Sequence, residues 1–200
     1  ALIKSGLLYI FLLCFNKGAD YGLKENKYMP KMIAVIIETV VLVCALWFLS
    51  FMAIFMHELG HALGYMLSTL NRHWHIRVGS GKRLLKTKRL TVKLLVFDGE
   101  FTVAGNTVDS KAKLISTLSG GPILSFISVT VLLLLRFGGM AFDSDIILSS
   151  AIEYFINYAL IINIFIFLTS VLPFRYFLGE IKGKESDGLK LINAIKSKRT

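Results

Sequence analysis

Residues 55–67 read FMHELGHALGYML. This stretch carries two histidines and a glutamate within an apolar run that starts near residue 32, and Glu38 is the one charged residue between 32 and 56. Ionisable side chains are rare inside membrane-spanning helices and usually have a function where they occur. The stretch therefore indicates a membrane protein with a chemical site in its first helix.

The composition supports the membrane interpretation. Of the 200 residues, 54% are hydrophobic and 18% are charged, whereas soluble globular domains carry about 25% charged residues. Three apolar runs, at about 32–70, 114–135 and 154–173, are long enough for helices that cross a bilayer, which need about 20 residues each. The sequence predicts a mainly α integral membrane protein whose core is a bundle of three transmembrane helices.

The distribution of basic residues along the chain predicts its topology in the membrane. The net charge is +10, and ten of the 23 Lys and Arg residues lie between 71 and 113, with seven more after 173. The positive-inside rule places both segments in the cytoplasm. We therefore expect a multi-pass protein of the cell membrane with its active site toward the cytoplasm. Its compact size suggests that this membrane is a bacterial cytoplasmic membrane. The bilayer accounts for the charge, and no nucleic-acid partner is expected.

The chain is expected to form one membrane-embedded domain, residues 32–200. An N-terminal segment, residues 1–31, precedes it, and its apolar run at 6–15 is too short to span a bilayer. That run is expected to form an interfacial or partly inserted helix. A C-terminal helix is expected at about 187–198.

A β segment is predicted between the first and second apolar runs, at residues 75–105. Asp98-Gly99 stands between LTVKLLVF and EFTVA, a pattern typical of a two-residue hairpin turn. We expect a small antiparallel sheet or hairpin at the cytoplasmic side, turning at Asp98-Gly99. Non-helical backbone at membrane depth must be satisfied by protein or water, so the sheet should border a wet cavity.

The pattern HELGH predicts a metal site. His57 and His61 are four residues apart, so on a helix they project from one face, one turn apart. Two imidazoles at that spacing can bind one metal ion. Glu58 between them can act as the general base toward a water that the metal activates, which is the chemistry of H-E-x-x-H in zinc proteases.

Zinc also needs a third protein ligand. His73 and His75 alternate as in a strand, and we expect them to be surface residues. A carboxylate in ESDGLKLINAIK, residues 185–196, is the better candidate.

Four features of the chain occur in a characteristic order between about residues 40 and 195. They are HELGH, the glycine-punctuated β segment at 79–105, LSGGPILSF at 118–126, and Pro173 followed later by Asp187-Gly188. In this order they resemble the site-2 protease family of intramembrane zinc metalloproteases.

The resemblance implies roles for particular residues. His57, His61 and Asp187 would bind one Zn²⁺ per chain, and Glu58 would be the catalytic base. It also implies the reaction, which is hydrolysis of peptide bonds within or next to the transmembrane segment of a membrane-anchored protein or peptide precursor.

Two features depart from the family pattern. Thirteen residues separate Pro173 from Asp187, more than in many members, so Glu180 and Glu185 are alternative third ligands. Asp187 could instead serve as the N-cap of the helix that follows it.

The second departure concerns an asparagine that many members carry three residues before the proline, where this chain has Ser170. Asn163 lies two helical turns earlier. It could give its amide to the substrate carbonyl, or it could join two helices by a hydrogen bond.

A peptide bond inside a helix is shielded, so a substrate must unwind before cleavage. We expect an edge of the hairpin at 90–104 to hold the extended segment by strand addition, with Phe101, Thr102, Val103 and Ala104 near the site. The competing interpretation is a hairpin that only closes the cytoplasmic mouth.

Other functional classes are possible for a membrane HExxH protein. One is a zincin like the prenyl-protein-processing proteases, which take their third ligand from a later helix. Another is a zinc-binding scaffold or chaperone without activity, although Glu58 is not needed for metal binding alone. A metal transporter would require more polar groups along the second and third spans.

Overall fold

The computed structural model describes residues 29–105, 107–138, 146–177 and 182–197. Over these residues the element order is α1 (Met29–Thr69), β1 (Trp74–Lys86), β2 (Leu90–Val103), α2 (Lys111–Phe137), α3 (Ile146–Val171) and α4 (Asp187–Lys196). The predominantly helical fold and the strands between the first two long helices are confirmed. The helix predicted at 6–15 lies outside the described residues.

Three of the helices are long and apolar enough to cross a membrane, over Lys31–Thr69, Lys111–Phe137 and Ala151–Val171. Their outward faces expose large apolar side chains, such as Val41, Leu134 and Ile161. Their inward faces bury polar side chains, among them Ser50, Glu58, His61, Thr117, Ser125, Asn163 and Ser170. This distribution is the reverse of a water-soluble bundle, and it is the one that a lipid environment favours.

Helices α1 and α2 touch through their backbones. A Cβ atom added at Gly60 would collide with the carbonyl oxygen of Gly120, and one added at Gly120 would collide with that of Gly60. One turn along, Gly64 lies in the same way against Ser116. Small residues allow this approach between helices, as they do in membrane bundles.

Helix α3 is joined to the other two long helices by polar contacts. The hydroxyls of Ser50 on α1 and Tyr158 on α3 are hydrogen-bonded at 2.8 Å. Near the C-terminal end of α2, Arg136 donates to the side-chain oxygen of Asn157 on α3 at 3.0 Å. These bonds fix α3 beside the α1–α2 pair.

The two strands pair antiparallel in a two-stranded sheet, but the predicted position of the turn is wrong. The chain reverses at 87–89, where Leu90 N–H donates to the Thr87 hydroxyl at 3.0 Å. Asp98 and Gly99 lie inside β2. Asp98 is paired there with Arg77 of β1, at 3.0 Å, and Gly99 is needed because β2 passes against α1 without room for a side chain.

The register leaves one edge of β2 open. Residues 76–78 of β1 lie between two parts of β2, with Ile76 opposite both Leu90 and Phe101. The part of β2 from 99 to 103 therefore has β1 on one side. Among the described residues the sheet has no further strand, so the other edge of this part has no strand beside it.

The sheet lies alongside the second half of α1, and not beyond its end. The indole N–H of Trp47 donates to Leu94 O at 2.7 Å, and that of Trp74 reaches the Met66 sulfur at 3.2 Å. Trp47 and Met66 are separated by about 28 Å along a straight helix. A cluster of buried apolar side chains fills the contact between helix and sheet, formed by Ile54, Ala62, Ile76, Val78 and Val96.

The described residues 172–177 and 182–186, here called the return segment, lie between the end of α3 and the start of α4. Tyr176 N–H donates to Lys184 O at 2.9 Å, and Ser186 N–H donates to Phe174 O at 2.9 Å. The two described arms of the insertion between Pro173 and Asp187 therefore pair antiparallel with each other. Asp187 returns in this way to the level of the bundle.

Candidate metal centre

The candidate centre is built on one turn of α1. His57, Glu58 and His61 are buried, with 6%, 7% and 5% of their surfaces exposed. The glycines that bring α2 against α1 also shape the centre, because a Cβ at Gly121 would collide with the imidazole of His61. The side chains that sequence analysis placed on one helical face are thus held between two helices.

Asp187 reaches this turn from the start of α4. Ser186 is the N-cap of the helix, and its hydroxyl accepts from Leu189 N–H at 3.2 Å and donates to Leu172 O at 2.7 Å. The capping role that was considered for Asp187 therefore belongs to Ser186. As the first residue of α4, Asp187 is free to project its carboxylate at the histidines.

Three potential ligand atoms meet between α1 and α4. Asp187 Oδ2 lies 3.1 Å from His57 Nε2 and 3.2 Å from His61 Nε2, and the two Nε2 atoms are 3.2 Å apart. Within the described residues these three side chains form the group that could hold a metal ion. A single proton would satisfy one side of this triangle, whereas a cation at its centre satisfies all three.

Groups on α2 orient both imidazoles. His61 Nδ1–H donates to Thr117 O at 2.8 Å, which leaves the Nε2 lone pair for a metal. His57 Nδ1 is hydrogen-bonded to the Ser125 hydroxyl at 2.9 Å. Thr117, Gly121 and Ser125 are buried and spaced four residues apart, so one face of α2 serves both histidines.

Asp187 also interacts with the next turn of its own helix. Lys190 Nζ donates to Asp187 Oδ1 at 3.2 Å, while Oδ2 faces the histidines. Burial by itself raises the pKa of Asp187, but the hydrogen bonds with His57 and His61 and the charge of Lys190 outweigh burial. The pKa of this carboxyl therefore lies well below its usual range, and it is ionised as a ligand must be.

The group opens onto a cavity of about 770 Å³. One wall is β2 from Phe97 to Phe101, and the opposite walls are α3 and the return segment. Apolar side chains dominate the whole cavity lining, including Ile54, Leu118, Phe165, Ile166, Phe174 and Phe177. Glu58, His57, His61 and Asp187 all reach the cavity, so a molecule bound there could meet the glutamate and the three converging groups together.

Ion pairs join the two sides of the cavity. Arg77 of β1 is paired with Asp98 at 3.0 Å and with Glu100 at 3.2 Å, and Lys184 of the return segment is paired with Glu100. Burial raises the pKa of Glu100, but Lys184 and Arg77 outweigh it and the pKa is lowered. Glu100 thus ties the return segment to the strand that forms the opposite wall.

The residues predicted to bind substrate are only partly brought to the cavity. Phe101 lines it, and its ring lies 6.2 Å from that of His61. Thr102, Val103 and Ala104 follow along the strand but are not part of the cavity wall as far as the chain is described, and the Thr102 hydroxyl donates to His75 O on β1. Asn163 is buried away from the wall and donates to Ala159 O of its own helix at 2.8 Å.

Of the alternative carboxylates, the one that the structure describes is not at the centre, and neither are the other two histidines. Glu185 accepts from Arg175 at 3.0 Å and from Asn193 at 3.2 Å. His73 is exposed, and His75 Nε2 is hydrogen-bonded to the Thr91 hydroxyl at 3.1 Å. Glu180 lies outside the described residues.

Sequence reasoning missed Ser125, Thr117, Tyr176 and Lys190. For the first two a signal exists, since small or polar residues recur every fourth position of the apolar helix α2. No local pattern marks the other two. Comparisons of the chain with protein-family models, with curated proteins and with solved structures find no match.

Proposed function

We propose that this chain is an intramembrane zinc metalloprotease of the site-2 protease type, which cleaves a membrane-anchored protein or peptide precursor within or next to its transmembrane segment. One observation carries the proposal. Two histidine nitrogens and an aspartate oxygen converge within 3.1–3.2 Å of one another, and a buried glutamate stands beside them on the same helical turn.

The three residues fit a zinc ion. Zinc binds His nitrogen and carboxylate oxygen at about 2.0–2.2 Å in tetrahedral geometry, so adjacent ligand atoms are about 3.3 Å apart. The separations of 3.1–3.2 Å between the Nε2 and Oδ2 atoms are close to that value. When bound, zinc would polarise the substrate carbonyl and activate water at neutral pH.

Glu58 would carry the proton in this reaction. It takes a proton from the attacking water and delivers it to the nitrogen of the leaving amine, so the carboxylate is restored after each turnover. Gly99 of β2 lies directly against the Glu58 carboxylate. A polypeptide on the edge of β2 would therefore have its backbone beside the base.

The bilayer is the proposed environment of the bundle. Three helices have the length and apolar surface for it, and polar groups are gathered between the helices rather than outside them. Basic residues dominate the segment between α1 and α2 and the C-terminal part. By the positive-inside rule these parts face the cytoplasm, and so does the entrance to the site.

The substrate is proposed to bind as an added strand on the open edge of β2. Residues 97–101 of that strand form a wall of the cavity, and no strand covers the outer edge among the described residues. Strand addition would replace the backbone hydrogen bonds that a substrate helix loses on unwinding. In this proposal the substrate comes closest to the candidate centre beside Phe97 and Phe101, which line the cavity, and not beside Val103 and Ala104.

The test compares membrane peptides and proteins in the native host carrying wild type or Glu58→Gln, by quantitative mass spectrometry. Glu153→Gln, a charge-removing change on α3 remote from the cavity, is the matched control. The proposal expects a membrane-anchored precursor to accumulate uncut in Glu58→Gln alone, while the purified variant still binds zinc. If the peptide profile is unchanged although zinc is bound, the chain is a zinc-binding scaffold instead.

A further inference from the structure

Tyr176 lies on the wall of the cavity that contains the candidate centre, and several contacts fix its position. Its backbone N–H donates to Lys184 O at 2.9 Å, and its carbonyl accepts from Gly183 N–H at 2.7 Å. Its ring meets that of Phe174 edge-on, with centroids 5.1 Å apart. The return segment thus presents the phenol to the cavity that contains Glu58 and Asp187.

Among the described residues, the Tyr176 hydroxyl has one weak partner. Its hydroxyl donates to Thr169 O at 3.4 Å, whereas hydrogen bonds between oxygens are usually about 2.7–2.8 Å long. A substrate oxygen could replace this partner at little cost, because so long a bond contributes little.

Three hydroxyls on the helical walls of the cavity point elsewhere. The hydroxyl of Thr117 donates to Lys113 O at 2.8 Å, that of Thr169 to Phe165 O at 2.8 Å, and that of Ser170 to Phe167 O at 2.9 Å. All three are directed back along their own helices. Ser170 occupies the position where the sequence pattern leads one to look for an asparagine amide, and it offers no donor to the cavity.

A phenol is protonated at neutral pH, and the surroundings of Tyr176 reinforce this. Burial and the negative charges of Asp187 and Glu58 raise the pKa of Tyr176 to about 12. At neutral pH the hydroxyl is therefore a donor and not an anion. A neutral donor is suited to a site that already contains two carboxylates, because it adds no negative charge.

We propose that the Tyr176 hydroxyl donates a hydrogen bond to the scissile carbonyl oxygen and strengthens that bond as negative charge develops on the oxygen during hydrolysis. This inference rests on the proposed protease function and adds a catalytic residue to it. The proton stays on the phenol throughout, and no bond to Tyr176 forms or breaks. Donors aimed at such a charge are among the larger contributions to catalysis.

The test uses the full-length protein in detergent, with Tyr176→Phe compared with wild type and Tyr158→Phe. The control also loses a phenol hydrogen bond, that to Ser50, but lies outside the cavity. Two measurements are made: the affinity of acetohydroxamate for the Co²⁺-loaded protein, from the cobalt absorption spectrum, and kcat and KM on the precursor identified with Glu58→Gln. Removing one such donor typically lowers kcat by about 100-fold or more.

We expect Tyr176→Phe to bind Co²⁺ normally, to lose about tenfold in acetohydroxamate affinity and to lose kcat with little change in KM. Acetohydroxamate binding and kcat equal to wild type would overturn the inference, and so would a loss of Co²⁺ affinity in parallel with activity, which would make Tyr176 structural. If wild type itself binds no Co²⁺, or cuts no precursor, the proposed function fails.

Discussion

Gly99 of β2 lies against Glu58 of α1 with no space for a side chain between them. A Cβ atom at Gly99 would stand 2.8 Å from Glu58 Cγ and 2.7 Å from Ile54 Cγ2. This glycine lets an open strand edge run past the candidate base. Asp98-Gly99 has the composition of a turn, but it serves a close approach between sheet and helix.

Gly99→Ala should therefore impair activity more than metal binding. The added methyl group must displace either the Glu58 side chain or the strand, and a small misplacement of a catalytic group can lower the rate by about 100-fold. Cleavage rate and Zn²⁺ affinity are measured on the same preparation, with the exposed Leu85→Ala as control. Full activity in Gly99→Ala would show that the strand can retreat from Glu58 without consequence.

Asp187→Asn should weaken Zn²⁺ binding by more than the roughly 10–100-fold that loss of a hydrogen-bonding partner of a ligand costs. The reason is that the amide removes the one negative charge among the three converging groups. Glu185→Gln is the matched control, since that carboxylate is bonded to Arg175 and Asn193. Equal affinities for the two variants, in competition with a chelator, would reject Asp187 as a ligand.

Ser125→Ala should lower Zn²⁺ affinity by about tenfold, because His57 loses the hydroxyl that orients its imidazole. Ser128→Ala makes the same chemical change on the same helix, where the hydroxyl donates only to Leu124 O. Chelator competition compares the two variants with wild type. An identical affinity in all three would mean that packing alone orients His57.

Val103→Pro tests strand addition on the β2 edge. Ala104 N–H donates to His73 O on the β1 side, and successive N–H groups point to opposite edges of a strand, so that of Val103 points outward. Proline removes this outward donor and leaves the bonds to β1 intact. We expect cleavage to fall about tenfold with Zn²⁺ affinity unchanged. Undiminished cleavage by the folded variant would mean that the substrate does not pair along this part of the edge.

Glu100→Gln should lower stability in a pH-dependent way. The pKa of Glu100 is lowered in the folded protein by Lys184 and Arg77, so its contribution is complete above the ordinary carboxyl pKa, about 4.3, and is lost as the pH falls further. We expect wild type to melt at a higher temperature than the variant at pH 7, and the difference to shrink below about pH 4. A constant difference across this range would argue against the ion pair.

The grouping of His57, Glu58 and His61 on one helical turn could be predicted from the sequence, because it depends only on residues close together in the chain. Residues four apart on a helix share a face whatever the rest of the chain does, and a charged group in an apolar run has few reasons to be there other than function. Helix positions followed from the same logic, since an apolar run of some 20 residues has little alternative to a helix.

Residue types and spacing alone leave several carboxylates as candidates for the third group, and the family resemblance is what points to Asp187. The choice depends on how residues 172–177 and 182–186 pair with each other. Ser186 takes the cap of α4 and thereby directs Asp187 inward, while Arg175 and Asn193 hold Glu185 away. No spacing along the chain encodes this arrangement. It depends on contacts between residues eight to fourteen positions apart.

The helical framework and the chemistry of one helical turn follow from the sequence alone, since both depend on periodicity and composition. The tertiary structure decided which distant groups complete that turn: Asp187 as the third converging group, Thr117 and Ser125 behind the imidazoles, and Gly99 beside the base. The physical reason is packing, because close contact between backbones selects the residues that fit. At Asp98-Gly99, an ion pair and the burial of the sheet outweigh the local propensity to form a turn.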